Sequence, residues 1–283
     1  MADKLLGVIG GSGLYQMAGL DVIESIVVDT PFGSPSDKLV IGELGGVKLA
    51  FLPRHGVGHV IPPSDINFRA NIFAMKKIGV DRIISVSAVG GMKENMPPGH
   101  FVVPHQFIDR TYRRISTFFT TGMVGHVSLA DPICLSTAKI LFQAAQNAGA
   151  QVHEGGTYIC IEGPQFSTRA ESNLYRQWDV DVIGMTNVTE AKLAREAGLC
   201  YSTLALVTDF DCWHVDEEPV TLEAVLAIMH KNVELAQQVL KELIPLLGAI
   251  KPCSCSEAAK FAVVTNPEKI PPTLKENLSI LFG

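Results

Sequence analysis

Short, mostly apolar runs recur along the chain at 5–9, 48–52, 82–86, 101–103, 158–161, 180–183 and 202–207. Several have no polar break, which predicts strands covered on both faces rather than a half-solvated sheet. Helical stretches lie between them. Ser64 is placed to cap a helix reaching Ile78, with Ile66, Ala70 and Phe73 on one side and Gly79 at its end. Ser136 is placed to cap a second, to Ala148, followed by Gly149, and Thr168-Arg-Ala-Glu171 is a capping box opening a third toward Trp178. Thr221 opens the longest helix, which runs to about Gly248. Strands alternating with helices predict an α/β fold with a central, largely parallel or mixed sheet. After Gly248 the composition turns to Pro, Ser, Cys and Lys. Residues 1–248 therefore read as one domain, and 249–283 as a tail with a short helix that packs on that domain or on a neighbouring subunit.

Composition narrows the class. The chain has 283 residues, 47% hydrophobic and 18% charged, enough for one large core. A net charge of −6 with no basic run argues against a nucleic-acid partner. A few local donors can still hold a small anion. No apolar run approaches the roughly 20 residues of a membrane span, and 5–9 is too short for a signal-peptide core. The expectation is a cytoplasmic protein without a membrane partner. The spacing of Cys134, Cys160, Cys200, Cys212, Cys253 and Cys255 matches no zinc framework, so they read as reduced, mostly buried thiols and no metal site is expected. Cys253-Ser-Cys255 stands apart as a close-set pair in which a disulfide is an option.

Candidate anion chemistry sits at strand ends. The first strand runs into Gly10-Gly11-Ser12-Gly13, where backbone amides can approach an anion and Ser12 adds a hydroxyl. The loop lacks the Gly-x-Gly-x-x-Gly spacing of a dinucleotide site, and no clear acid closes a second strand at the required offset. Arg54-His55 follows the strand at 48–52; Arg offers a planar fork for phosphate oxygens and His a further donor, against the plainer option of a surface Arg and a core His. The strand at 82–86 enters a small-residue, glycine-rich turn, Ser85-Val-Ser87-Ala88-Val-Gly90-Gly91. Together these features predict one anion pocket at one edge of the sheet.

A second constellation suits a base and a sugar. The loop 161–171 carries Phe166, an aromatic face for a base or a core anchor of the loop, and Met185 follows the strand at 180–183 as a soft surface for a sugar. Asp209 and Asp211 follow the last strand two residues apart. On an extended segment this puts both carboxylates on one side, beside Phe210 and Trp213, where a raised pKa and general-acid work are favoured.

Taken together, Gly10-Gly-Ser-Gly13, Asp29-Thr-Pro-Phe-Gly33, Pro53-Arg-His-Gly56, Gln106-Phe-Ile-Asp-Arg-Thr111, Ile161-Glu-Gly-Pro164 and Thr208-Asp-Phe-Asp-Cys-Trp213 resemble the trimeric purine nucleoside phosphorylase family, in its methylthioadenosine-cleaving branch. The resemblance spans roughly residues 5 to 247. It implies a mixed, partly barrel-like sheet flanked by helices, a homotrimer, and inorganic phosphate as co-substrate without any cofactor. It implies Ser12, Arg54, His55, Ser87 and Thr186 as phosphate ligands with the Ala88 backbone beside them. Phe166, Ile183, Met185 and Thr208 take the substrate positions; Leu222, Val225 and Leu226 form the methylthio wall, and His126 is lent across a subunit interface. Asp209 becomes the general acid, supported by Asp211, and an acid there favours aminopurines, because oxopurine-preferring relatives typically carry Asn. Gly184 stands where animal relatives have Asn, and Thr189 replaces a frequent Pro. The alternatives are a phosphorylase of broader or 6-oxopurine specificity, a hydrolase using water, and a non-catalytic purine nucleoside sensor.

Overall fold

The structure is a computed structural model that describes residues 5–214, 222–250 and 252–282, without the side chains of Ser12 and residues 222–227. Its strands are β1 (Leu5–Gly10), β2 (Asp21–Ile26), β3 (Leu39–Leu44), β4 (Val47–Pro53), β5 (Val80–Gly91), β6 (Phe101–Val103), β7 (Gln106–Arg110), β8 (Val152–Glu154), β9 (Thr157–Ile161), β10 (Val182–Gly184) and β11 (Cys200–Asp209). The helices are α1 (Phe68–Lys77), α2 (Leu135–Asn147), α3 (Arg169–Gln177), α4 (Asn187–Glu196), α5 (Leu222–Leu243) and α6 (Pro272–Phe282).

All the strands join one mixed, partly closed sheet. Four parallel strands in the order β4-β1-β5-β11 form its centre, the arrangement expected of continuously apolar runs. Phe51, Ile83 and Leu204 from these strands are fully buried, and cutting one such side chain to alanine costs about 2–5 kcal/mol. Helices α2 and α5 pack together against β11, and α1 packs on α4. The tail joins the same core: α6 packs on α1, Leu278 and Leu281 are buried, and Phe282 stacks on Phe119.

Three expectations change for local reasons. The segment 85–91 is not a turn but the second half of β5, held extended by β11 along its length and by β10 at Gly90-Gly91. Ser64 does not cap α1. Pro62-Pro63 starts a short 3-10 turn, the hydroxyl donates to Glu162, and Asn67 caps α1 by accepting from the Ala70 amide. Helix α2 begins one residue earlier than its expected cap, at Leu135. The capping box of α3 forms in full, with Thr168 and Glu171 exchanging side chain-to-backbone bonds.

Candidate active site

The long strand β5 changes partner on one edge, and the site is built where it does so. From Leu5 to Ile9, β1 runs beside it as far as Ser85; at Gly90-Gly91 the antiparallel β10 takes over. Between the two neighbours the Val86 carbonyl accepts from the Arg54 guanidinium at 3.0 Å. Alternation along a strand turns the Ala88 amide to this same open edge, while the Val89 carbonyl, on the other edge, accepts from Thr208. The Ser87 hydroxyl is buried beside this stretch next to the Tyr158 phenol, and no well-formed hydrogen bond satisfies it among the described residues, a costly state that a ligand would relieve.

Arg54 is buried, not the surface Arg that its sequence context allowed. Its Nε donates to Glu190 Oε1 at 2.5 Å, and Nη2 reaches Glu190 Oε2 at 3.2 Å, Ser85 Oγ at 2.5 Å and the Ile9 carbonyl at 3.5 Å. With Nη1 on Val86, one of the five guanidinium hydrogens is left for a ligand among the described residues. Ser85 and Tyr201 also donate to Glu190, and the Asn187 amide reaches Ser85, Tyr201 and Thr203. Burial works against the Arg54 charge, but the carboxylate of Glu190 wins and the guanidinium stays fully cationic. Burial, then the Glu190 charge, push the Tyr201 phenol far up, so it remains a neutral donor.

His55 differs from the donor expected of it. Its Nδ1 lies 2.8 Å from the Ile61 carbonyl, which can only accept, so the ring proton sits there and Nε2 is an acceptor. Burial and the Arg54 charge lower its pKa to about 4, which keeps the ring neutral near pH 7. Thr186 stands at the N-cap of the ten-residue α4, its hydroxyl not used for capping. The first amides of a helix lack intrahelical partners and favour an anion. Ser12 begins the short 3-10 helix after β1; its side chain is outside the described residues.

The two acids meet, though not by the expected alternation. After Asp209 the chain leaves the extended conformation, Asp211 takes φ 44° in a 3-10 turn, and its amide folds back onto Asp209 Oδ1 at 2.9 Å. Thr208 Oγ1 donates to Asp209 Oδ2 at 2.8 Å, fixing the other oxygen. Gly90 makes room for the pair: a Cβ there would sit 3.0 Å from Asp209 Oδ1, 3.0 Å from Ile183 Cγ2 and 3.3 Å from Asp211 Cβ. Asp211 accepts from the buried Ser172 hydroxyl at 2.5 Å. Burial, aided by the Asp209 charge, raises the Asp211 pKa above the usual carboxylate range.

Ile183 and Met185 pack with Phe210 and Trp213 in one apolar cluster beside the acids. Phe166, in contrast, is 82% exposed, so it is not a core anchor of its loop. That loop is held from behind by Glu162, which accepts from Ser64, the Tyr112 and Arg113 amides, and Arg114 Nε. Burial opposes its charge, yet these donors hold its pKa down at about 2. Arg114 also donates to the Met185 carbonyl at 2.5 Å, tying the loop to the segment after β10. Gly184 lies under the buried Tyr158 ring, whose hydroxyl faces Ser87 and the Thr186 backbone; a Cβ at 184 would collide with it. The structure thus gathers Arg54, Ser87, Ala88, Ile183, Asp209 and Asp211 around the open edge of β5, with Thr208 holding Asp209 from the β11 side. His126 is exposed on a segment paired with the tail through Ala262, and among the described residues no hydrogen bond or ion pair joins it to the acids. Leu222, Val225 and Leu226 lie on or at the start of α5 with side chains outside the described residues.

Sequence reasoning missed Glu190, Glu162, Arg114 and Tyr158. Glu190 is 1% exposed. The signal that could have found it is a Glu within the apolar face Val188, Ala191, Leu193 of α4, but its partner Arg54 is 136 residues away.

An open strand edge with anion donors thus stands beside an acid pair and an aromatic loop, an arrangement typical of an enzyme site. The chain belongs to the phosphorylase superfamily, whose family model matches residues 5–245. It is 54% identical to the S-methyl-5'-thioadenosine phosphorylase of Geobacter sulfurreducens over 282 residues, covering 99% of each chain. Among solved structures, it resembles a methylthioadenosine phosphorylase from an antarctic soil metagenomic library, with 50% identity, a TM-score of 0.95, and coverage of 99% of this chain and 100% of that one. A mutant adenosine/methylthioadenosine phosphorylase from Schistosoma mansoni in complex with adenine matches at 39% identity and a TM-score of 0.83, over 91% of this chain and 96% of that one.

Proposed function

We propose that this enzyme is a pentosyltransferase that cleaves S-methyl-5'-thioadenosine with phosphate, giving adenine and 5-methylthioribose 1-phosphate. The observation that carries the reading is the adjacency, along one strand, of the unsatisfied Ser87 hydroxyl and the Asp209–Asp211 pair at Gly90. Phosphate is held by Ser12, Ser87, Thr186, the Ala88 amide and the free Arg54 hydrogen. The neutral His55 accepts the one proton of hydrogen phosphate at Nε2, which keeps the remaining oxygens for donors. As the bond from the anomeric carbon to the base nitrogen breaks, positive charge grows on the ribose beside the phosphate dianion. A phosphate oxygen then takes the anomeric carbon, while Asp209 delivers a proton to the imidazole-ring nitrogen of the leaving base. Asp211 supports that acid, and an acid at 209 can accept from an exocyclic amine, which favours aminopurines over oxopurines. Phe166 stacks on the base, and Leu222, Val225 and Leu226 wall off the methylthio group.

No metal or organic cofactor takes part in these steps. The exposed Phe166, and the exposed apolar Val124, Phe261 and Val264 near His126, fit a homotrimer in which His126 completes a neighbour's site. No helix among the described residues is long and apolar enough to cross a membrane, and free cysteines fit the reducing cytoplasm. The test is adenine release from methylthioadenosine with and without phosphate: phosphate-dependent release supports the assignment, and phosphate-independent release means a hydrolase. Adenosine belongs in the same assay as a second substrate, because the Schistosoma mansoni relative is named for both nucleosides.

A further inference from the structure

The fold assembles at the opposite end of the sheet what the linear sequence conceals. Cys134 precedes α2, Cys200 opens β11, and Cys253 and Cys255 come from the tail. Their four sulfurs lie within 4.8 Å of one another, three of the residues are buried, and all four thiols are free. Cys253 Sγ is 3.3 Å from Cys200 Sγ and 3.8 Å from Cys134 Sγ, too far for an S–S bond. A tetrahedron with Zn–S bonds of about 2.3 Å has S···S edges of about 3.8 Å. The sulfur separations, 3.3 and 3.8 Å with all four within 4.8 Å, bracket that figure.

The surroundings suit a charged centre better than four neutral thiols. The buried Arg82 Nη1 lies 4.0 Å from Cys134 Sγ, Arg195 Nη1 lies 3.9 Å from Cys255 Sγ, and the Thr137 hydroxyl is 3.2 Å from Cys134 Sγ. Four thiolates around a divalent cation carry a net charge of −2, which two guanidinium groups balance while the Thr137 hydroxyl adds an outer-sphere donor. The loop carrying Cys255 is seated against Gly198, where an added Cβ would meet the Ser256 carbonyl at 3.2 Å. A cavity of about 910 Å³, lined in part by Lys48, Arg82, Cys200, Cys253 and Ser256, gives an ion a way in.

The geometry points to a structural zinc site in which Cys134, Cys200, Cys253 and Cys255 bind one Zn²⁺ and clamp the tail to the core. Binding releases the four thiol protons to solvent and forms four Zn–S bonds, with no electron transfer. An all-thiolate set is the soft environment that selects zinc. Strand β11 separates this cluster from Asp209 by roughly 30 Å at about 3.3 Å per residue, so the metal is remote from the proposed chemistry and independent of it.

The test is metal analysis of the full chain purified under reducing conditions from zinc-supplemented cells. One zinc per chain is expected, retained in Cys212→Ser and lost in the Cys253→Ser/Cys255→Ser double variant. Cobalt loaded in place of zinc should give the intense visible bands of a tetrahedral thiolate site, a readout on the unaltered chain that stands even if the double variant fails to fold. A chelator should lower the melting temperature and leave base release at assay temperature unchanged. Substoichiometric zinc with four titratable thiols, a Cys134–Cys200 or Cys253–Cys255 disulfide in the non-reduced protein, or full zinc content in the double variant would each overturn the assignment.

Discussion

At the carboxyl ends of the central parallel strands, Arg54, Ser87, Ala88 and Asp209 surround an open edge; at their amino ends, Cys134 and Cys200 meet two cysteines of the tail. Both ends collect polarisable or charged groups from distant parts of the chain, but they satisfy them differently. Glu190 is saturated by Arg54, Ser85 and Tyr201, and that saturation holds Arg54 rigid while Ser87 stays unsatisfied. The thiols have chiefly one another and the edges of two guanidinium groups. The contrast separates a site prepared for a ligand that comes and goes from one suited to an ion that stays.

The comparison breaks most visibly at Glu190. Glu190→Ala strands the Arg54 charge in the core and should cost about 3–5 kcal/mol of stability, measured by denaturant unfolding. A cost near zero would mean that Arg54 finds another anion or water. Asp209→Asn keeps the shape and an acceptor for the Asp211 amide. It should lower kcat/KM for methylthioadenosine roughly 100- to 10,000-fold, with unchanged unfolding and a relative gain for oxopurine nucleosides. Cys200→Ala, at the other end of the same strand, should show the reverse split: a lower melting temperature and an unaltered kcat. Gly184→Ala drives a methyl into the Tyr158 hydroxyl and should destabilise by about 1–3 kcal/mol; a neutral result would show that the ring moves freely.

The smallest effect is in pH. Glu162 falls from an ordinary 4.5 to about 2 in the folded chain, so its contribution is complete above pH 4.5 and is lost as the pH drops toward 2. Glu162→Gln should flatten that part of the acid-stability curve, and an unchanged curve would assign the acid loss to other carboxylates.

How much of this was legible follows from whether the deciding interactions are local. The cores of β1, β4, β5 and β11 were readable because burial on both faces leaves predominantly apolar runs. The capping box of α3 was readable because its partners are three residues apart. Strand β2, with the sequence DVIESI, was not, because nearly all of it is exposed and only pairing with β3 holds it extended. Arg54, His55 and Asp209 announced themselves as strand-end chemistry, whereas the tautomer of His55 depends on Ile61 and the burial of Arg54 depends on Glu190. The thiol cluster was hidden for the same reason: Cys134 and Cys253 are 119 residues apart and meet only after the tail has folded back.

In the proposed reaction the open edge of β5 holds phosphate while Asp209 protonates an aminopurine. It is tested most directly by measuring free-base release from methylthioadenosine, adenosine, inosine and methylthioinosine, each with and without phosphate. The expected result is adenine release that requires phosphate and is fastest with methylthioadenosine. Faster release from the inosine-type substrates would contradict the role of Asp209, and release from none of the four would contradict the phosphorolytic site itself.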